Sequence, residues 1–154
     1  MNLTERKELT PVKYNSSGIK VLDPVQIAPN GLCFPLHWHE RLEFLLIHNG
    51  SLEIFFGEEN TKLCSGELAI INAGQLHGGF AGSEGVTYST IMFEPTFLLN
   101  DTEASTALLQ PIIDHRIRFI NRNTSPNIIQ AAEAIVHFAN QNDTGAALLA
   151  QAKA

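Results

Sequence analysis

The chain has 154 residues, 44% of them apolar and 17% charged, enough length and hydrophobic content for one packed domain and too apolar for a disordered chain. Its net charge of −6, with no Lys/Arg cluster, argues against direct binding to nucleic acid, where affinity rests on neutralised phosphates. No apolar run has the length of a bilayer span, the opening MNLTERKELTPVKY is polar rather than signal-like, and Cys33 and Cys64 are too few for a secreted disulfide scaffold, so we expect a cytoplasmic protein with reduced, semi-buried thiols.

Residues 1–18 lack periodicity, end in the turn-like Asn15-Ser16-Ser17-Gly18, and read as an N-terminal arm. Short strands follow over 19–22, stopped by Asp23-Pro24, and 25–28, stopped by Pro29-Asn30-Gly31. The next candidates are 34–39 and 42–48, the latter ending at Asn49-Gly50, a strong hairpin signal. Residues 52–56 alternate, with Leu52, Ile54 and Phe56 opposite Glu53 and Phe55. Strands over 61–64, 68–71, 76–81 and 86–93 are separated by turns at Ser65-Gly66 and Asn72-Ala73-Gly74 and a loop over 82–85. Eight to nine short strands at this spacing predict a mainly β barrel or sandwich over residues 19–98.

The character changes after Pro95. Residues 102–113 read as a helix with Asp101 or Thr102 as N-cap and Pro111 limiting its end; Phe119-Ile120 is a candidate extended piece. Ser125-Pro126 then opens a second helix, because Ser at the N-cap and Pro at the first position are favoured there. Ile128, Ile129, Ala132, Ile135, Val136 and Ala139 form one apolar stripe, expected to pack on the barrel. A further helical segment over 146–154 runs to the last residue without a capping signal, as a helix cut within its length would. Residues 99–154 thus read as a helical extension.

The chemistry concentrates in GLCFPLHWHERLEFLLIHNG, residues 31–50. His37, His39 and Glu43 stand at i, i+2 and i+6, a parity that turns all three to one face of an extended chain. Imidazole and carboxylate donors suit zinc, nickel, iron or manganese and do not choose among them. His77, in GQLHGG, is the fourth candidate ligand. Trp38 and Glu40 have the opposite parity and should face away; His48, His115 and His137 have no partner spacing and read as ordinary.

Gly31, His37, His39, Glu43 and Gly50 match every position of G(x)5HxH(x)3E(x)6G, and the stretch resembles the first cupin motif. Gly66, Gly74 and His77 match G(x)5PxG(x)2H(x)3N, the second cupin motif, with Asn72 in place of its proline and Ala81 in place of its asparagine. The two departures bear on the rigidity of the turn rather than on metal binding. The resemblance implies a double-stranded β-helix (jelly-roll) barrel, followed here by C-terminal α-helices, with a metal position inside it. A narrower resemblance covers most of residues 19–154: HWHERLEFLLIHNGSLEIFFG, SGELAIINAGQLHGG, and the barrel ending with Phe93, Pro95, Phe97 and Leu98 are similar to the N-terminal sensor domain of AraC-type transcription regulators. That resemblance implies a small effector, often a sugar, in the barrel. It also implies a homodimer formed through a trailing helix that residues 146–154 would begin, and DNA binding only through a C-terminal helix-turn-helix domain with no counterpart here. It leaves both a filled and an empty metal position open, since such sensors often keep remnants of the quartet. A truncated sensor or a stand-alone one would fit.

Two function classes follow. The first is a non-catalytic, ligand-sensing and dimerising module of a transcription regulator. The second is a metal-dependent cupin enzyme of dioxygenase, isomerase or decarboxylase type, chemically allowed because three His and one carboxylate leave coordination positions for substrate. Against it, no general base stands beyond the ligands. A sugar-binding or storage-type cupin is a third reading.

Overall fold

A computed structural model describes residues 3–15 and 18–141; the expected helix over 146–154 and the centre of the Asn15–Gly18 turn lie outside them. After a 3-10 turn (Leu3–Arg6), seven strands follow: β1 (Ile19–Ile27), β2 (Leu32–His37), β3 (Leu42–Phe56), β4 (Glu59–Cys64), β5 (Leu68–Ile71), β6 (His77–Phe93) and β7 (Arg122–Asn123). A 3-10 turn (Pro95–Leu98) and α1 (Glu103–Ile113) separate β6 from β7, and α2 (Pro126–Ala139) follows. The strands form one antiparallel sheet in the order β1-β6-β3-β5-β7, with β2 on β6 and β4 on β3. The expected mainly β architecture with trailing helices is therefore observed.

Three breaks read from the sequence are not chain reversals. Residues 19–27 form one strand with an irregularity between Leu22 and Val25. Asn49-Gly50 is not a hairpin: β3 continues through it as one strand of 15 residues, pairing with β6 on both sides. Nor is 82–85 a separating loop, because β6 is continuous over 17 residues. The cause is mutual. Gly50↔Val86 is followed in the register by Leu52↔Ala81, so residues 82–85 bulge where β3 kinks. Gly50 has φ 76° and Gly85 has φ 79°, and a Cβ on Gly50 would lie 2.0 Å from the Gly85 carbonyl oxygen. Only glycine permits this crossing. Among the remaining differences, β7 lies at Arg122–Asn123 rather than at Phe119-Ile120, and β2 ends at His37 rather than His39.

The shared kink also changes which parity faces inward. Before it, Leu45 and Ile47 line the inner cluster; after it, Leu52, Ile54 and Phe56 do. Ala69, Ile71, Ala81, Val86 and Tyr88 complete that cluster. Opposite parities point outward, where Leu42, Leu46, Leu68, Ile70, Ile91 and Phe93 pack against Ala132, Ile135 and Val136 of α2. The α2 stripe is thus used as expected at its centre, while Ile128, near its start, is 42% exposed. Thr102 caps α1, its hydroxyl accepting from the Ser105 N–H at 3.2 Å. Ser125 occupies the N-cap of α2 without a side-chain capping bond. A second network fastens α2 to the strands: Ser89 links His48 and Asp23, and the Asn140 amide donates to Asp23 Oδ2 at 2.9 Å.

A histidine cluster in the barrel

The cluster is assembled from neighbouring strands rather than from one. His37 ends β2 and stands opposite His77, the first residue of β6, in the strand register. His39 lies in the irregular segment after β2, and Glu43 is the second residue of β3. The parity argument holds through this segment in part: His39, Arg41 and Glu43 are all buried, whereas Glu40 is exposed and pairs with Lys7 at 3.5 Å. Trp38 turns outward as expected, with the Lys7 ammonium 4.8 Å from its ring centre.

The donor atoms of His37, His39 and His77 lie within 4.8 Å of one another, close enough to share a metal ion. Each ring is oriented by a backbone carbonyl. His37 Nδ1 donates to Pro35 O at 2.7 Å, His39 Nδ1 to Arg41 O at 3.1 Å, and His77 Nδ1 to Gln75 O at 2.8 Å. A carbonyl only accepts, so each Nδ1 carries a proton, which leaves Nε2 as the nitrogen through which each ring could ligate. Metal-ligating histidines are held in this way. His39 Nε2 and His77 Nε2 are buried without a hydrogen-bond partner, as is Glu43 Oε2. Glu43 Oε2 approaches His39 Nε2 at 3.0 Å without the alignment of a hydrogen bond. Three imidazoles within reach of one point, with a buried carboxylate beside His39, form a donor set that suits a cation.

The electrostatics agree. Burial pushes His77 down to about 4, so it stays neutral and able to ligate. Burial alone would raise Glu43, but the neighbouring His39 side chain first, and then the Arg41 guanidinium, hold the carboxyl below its usual range. Phe34, with its ring 5.7 Å from His77, covers the cluster on one side. His48, His115 and His137 are not part of the cluster. Cys33 lines the adjoining cavity, its thiol pushed up to about 11 by burial, while Cys64 is exposed rather than semi-buried; both are free.

The cavity holds about 610 Å³ and is walled by His37, Arg41, Glu43, Tyr88 and Thr90, with residues 5–10 across it. Arg41 and Glu8 are the residues sequence reasoning missed. Arg41 shares the parity of His37, His39 and Glu43, which would have placed it on the same face; Glu8 gives no such signal. The turn before His77 also differs from expectation. Asn72, standing where the second cupin motif has proline, is buried, donating from Nδ2 to Phe119 O at 2.9 Å and accepting from Phe119 N at 2.7 Å. The turn is held by hydrogen bonds instead of by a ring.

Comparison with known proteins places this architecture. Over 108 residues the chain is 30% identical to an uncharacterized HTH-type transcriptional regulator, YdeC, of Bacillus subtilis (strain 168); the alignment covers 66% of the chain and 36% of that regulator. The chain therefore spans about a third of that relative's length. Among solved structures it is similar to the Cnp3 cupin domain of Schizosaccharomyces pombe, at a TM-score of 0.49 and 13% identity, covering 55% of this chain and 62% of that one. It is also similar to Bacillus subtilis oxalate decarboxylase, whose structure is described with Mn(II) centres, at a TM-score of 0.47 and 20% identity, covering 51% of this chain and 22% of that one. The sequence profile of the AraC-like ligand binding domain matches residues 28–154, a stretch that takes in every strand but β1, the histidine cluster and both helices, and the chain belongs to that family.

Proposed function

We propose that the chain is the small-molecule sensing and dimerisation module of an AraC-type transcription regulator. The observation that carries the reading is the placement of the cavity of about 610 Å³, which has barrel side chains on one side and residues 5–10 on the other. A ligand there would touch both, and a ligand can shift an equilibrium only through contacts that differ between two states. On this reading residues 1–18 are the responsive arm, residues 19–98 the barrel, and residues 99–154 the extension through which two copies pair. DNA would be engaged through a helix-turn-helix region of the kind named in the Bacillus subtilis relative, and the two-fold partner would match paired half-sites. Cytoplasmic residence follows from that role.

His37, His39, Glu43 and His77 would hold a divalent transition metal, with zinc, nickel, iron and manganese all compatible with the donor set. Bound there, the ion would supply a Lewis-acid anchor for an oxygen of the ligand. The chain's own residues do the rest: Tyr88 and Thr90 offer hydroxyls on the cavity wall, and Phe34 shields the cluster from water. Sugars are one effector class that such hydroxyls suit.

The rival reading, a metal-dependent cupin enzyme, uses the same cluster. The deciding experiment is a thermal-shift screen of sugars and small organic acids with the metal-loaded chain, followed by recovery of each bound compound. A saturable shift with the compound recovered unchanged supports the sensor. Conversion of the compound into product overturns it in favour of the enzyme.

A further inference from the structure

Arg41 is a buried cation beside the cluster, and Arg6 and Lys7 also line the cavity. The Arg41 side chain is 9% exposed, its Nη2 lies 2.6 Å from Glu8 Oε2 and 3.6 Å from Glu43 Oε2, and its Nε is buried without a hydrogen-bond partner. The Nε–Nη2 edge of a guanidinium is the fork that takes both oxygens of one carboxylate. Glu8 engages only half of that fork, through one oxygen, and the same oxygen lies 3.8 Å from His37 Nε2. Glu8 is not a barrel residue. It arrives on a segment fastened to the barrel edge by two backbone bonds, Glu8 N to Trp38 O at 2.9 Å and Trp38 N to Arg6 O at 3.0 Å. The neighbouring Lys7–Glu40 pair, at 3.5 Å, is exposed and adds little.

A carboxylate thus already sits between a buried guanidinium and the histidine cluster, imperfectly held and carried by a peripheral segment. We propose that Glu8 stands in for the effector's own carboxylate: a small carboxylic acid entering the cavity takes the full Arg41 fork beside His37 and expels Glu8, releasing residues 5–10 from Trp38. This deepens the sensor reading and rests on it. The effector class it names is anionic and carboxylate-bearing, not a neutral sugar. A phosphate is a poorer fit, because Glu43 Oε2 lies 3.6 Å from the same guanidinium nitrogen and a dianion would meet it.

Trp38 is the chain's single tryptophan, so its emission reads the attachment of the segment directly. The test titrates the zinc-loaded chain with acetate, pyruvate and succinate, and with arabinose as the neutral comparison, following Trp38 fluorescence and heat. We expect a saturable shift with at least one acid and none with arabinose. Glu8→Gln should bind that acid about tenfold more tightly, because the competing closed state is removed. Arg41→Lys, which keeps the charge and loses the fork, should weaken it by at least about tenfold. Glu8→Gln that binds no better than the parent, or an absence of binding by every acid, overturns the proposal. Arabinose that binds and moves Trp38 equally in Arg41→Lys overturns it while leaving the sensor reading intact. Conversion of the acid into product with the Glu8→Gln gain retained does the reverse.

Discussion

Asn72 stands where the second cupin motif carries proline, and restoring the proline should harm both the fold and the site. Asn72 Nδ2 donates to Phe119 O at 2.9 Å and to Gln75 Oε1 at 3.3 Å, Phe119 N donates to Asn72 Oδ1 at 2.7 Å, and Asn72 N donates to Gln75 Oε1 at 3.1 Å. Asn72→Pro removes all four and leaves half-buried Phe119 backbone groups without partners. At roughly 1 kcal/mol per bond, allowing for water reaching some of these groups, the loss is about 2–4 kcal/mol. For a domain of this size that lowers the melting temperature by about 5–15 °C. The consequence reaches the cluster because Gln75, on the same turn, supplies the carbonyl that orients His77 at 2.8 Å. Losing that support should weaken zinc binding by about 10–100-fold. Asn72→Asp, which keeps the acceptor for Phe119 N, should fall between. Thermal melts and zinc calorimetry of the three proteins give the answer. A proline variant as stable as the parent, with unchanged zinc affinity, would show that the hydrogen bonds do not hold this turn.

Other expectations follow from the same geometry. With zinc at about 100 times its dissociation constant, the metal should add ~2.7 kcal/mol to stability, and chelation should remove it; His77→Ala should melt at one temperature with and without chelator. In chelated protein, stability should fall as pH drops from about 6.5 to about 4, by up to ~3 kcal/mol, because the unfolded chain protonates at His77 first while burial keeps the folded imidazole neutral. Glu43, held below its usual value of 4.5, adds a further loss as pH falls below that value, since its folded form prefers to stay charged. Urea melts across this range, with His77→Ala removing the upper limb of the dependence, measure both. Sedimentation of this chain at rising concentration should show association; monomers throughout at micromolar concentration would count against the dimeric-regulator mechanism.

The spacing of His37, His39, Glu43 and His77 pointed to residues that the fold brings near one another, three imidazoles as a group and Glu43 beside His39, because residue type and periodicity are local properties of sequence. What spacing could not carry was the route by which they meet. His37 reaches His77 through the pairing of β2 with β6, a contact between segments forty residues apart. The same kind of pairing defeated the hairpin reading at Asn49-Gly50: a local turn preference yielded to hydrogen bonds on both sides of it, and Gly50 served a strand crossing instead. The helices were legible because capping and period are local. Glu8 was not, since nothing in residues 1–18 signals that the backbone of Trp38 will capture them. Asn72 showed itself only as a missing proline, and its pairing with Phe119 is again long-range.

The central proposal is that three oriented imidazoles, with Glu43 beside His39, hold one metal ion next to the cavity. Elemental analysis by mass spectrometry, on protein purified without a histidine tag or a metal column, tests it most directly. The account predicts about one equivalent of a divalent transition metal per chain, and a drop to roughly a tenth of that in His77→Ala. Equal trace amounts in both proteins would contradict it.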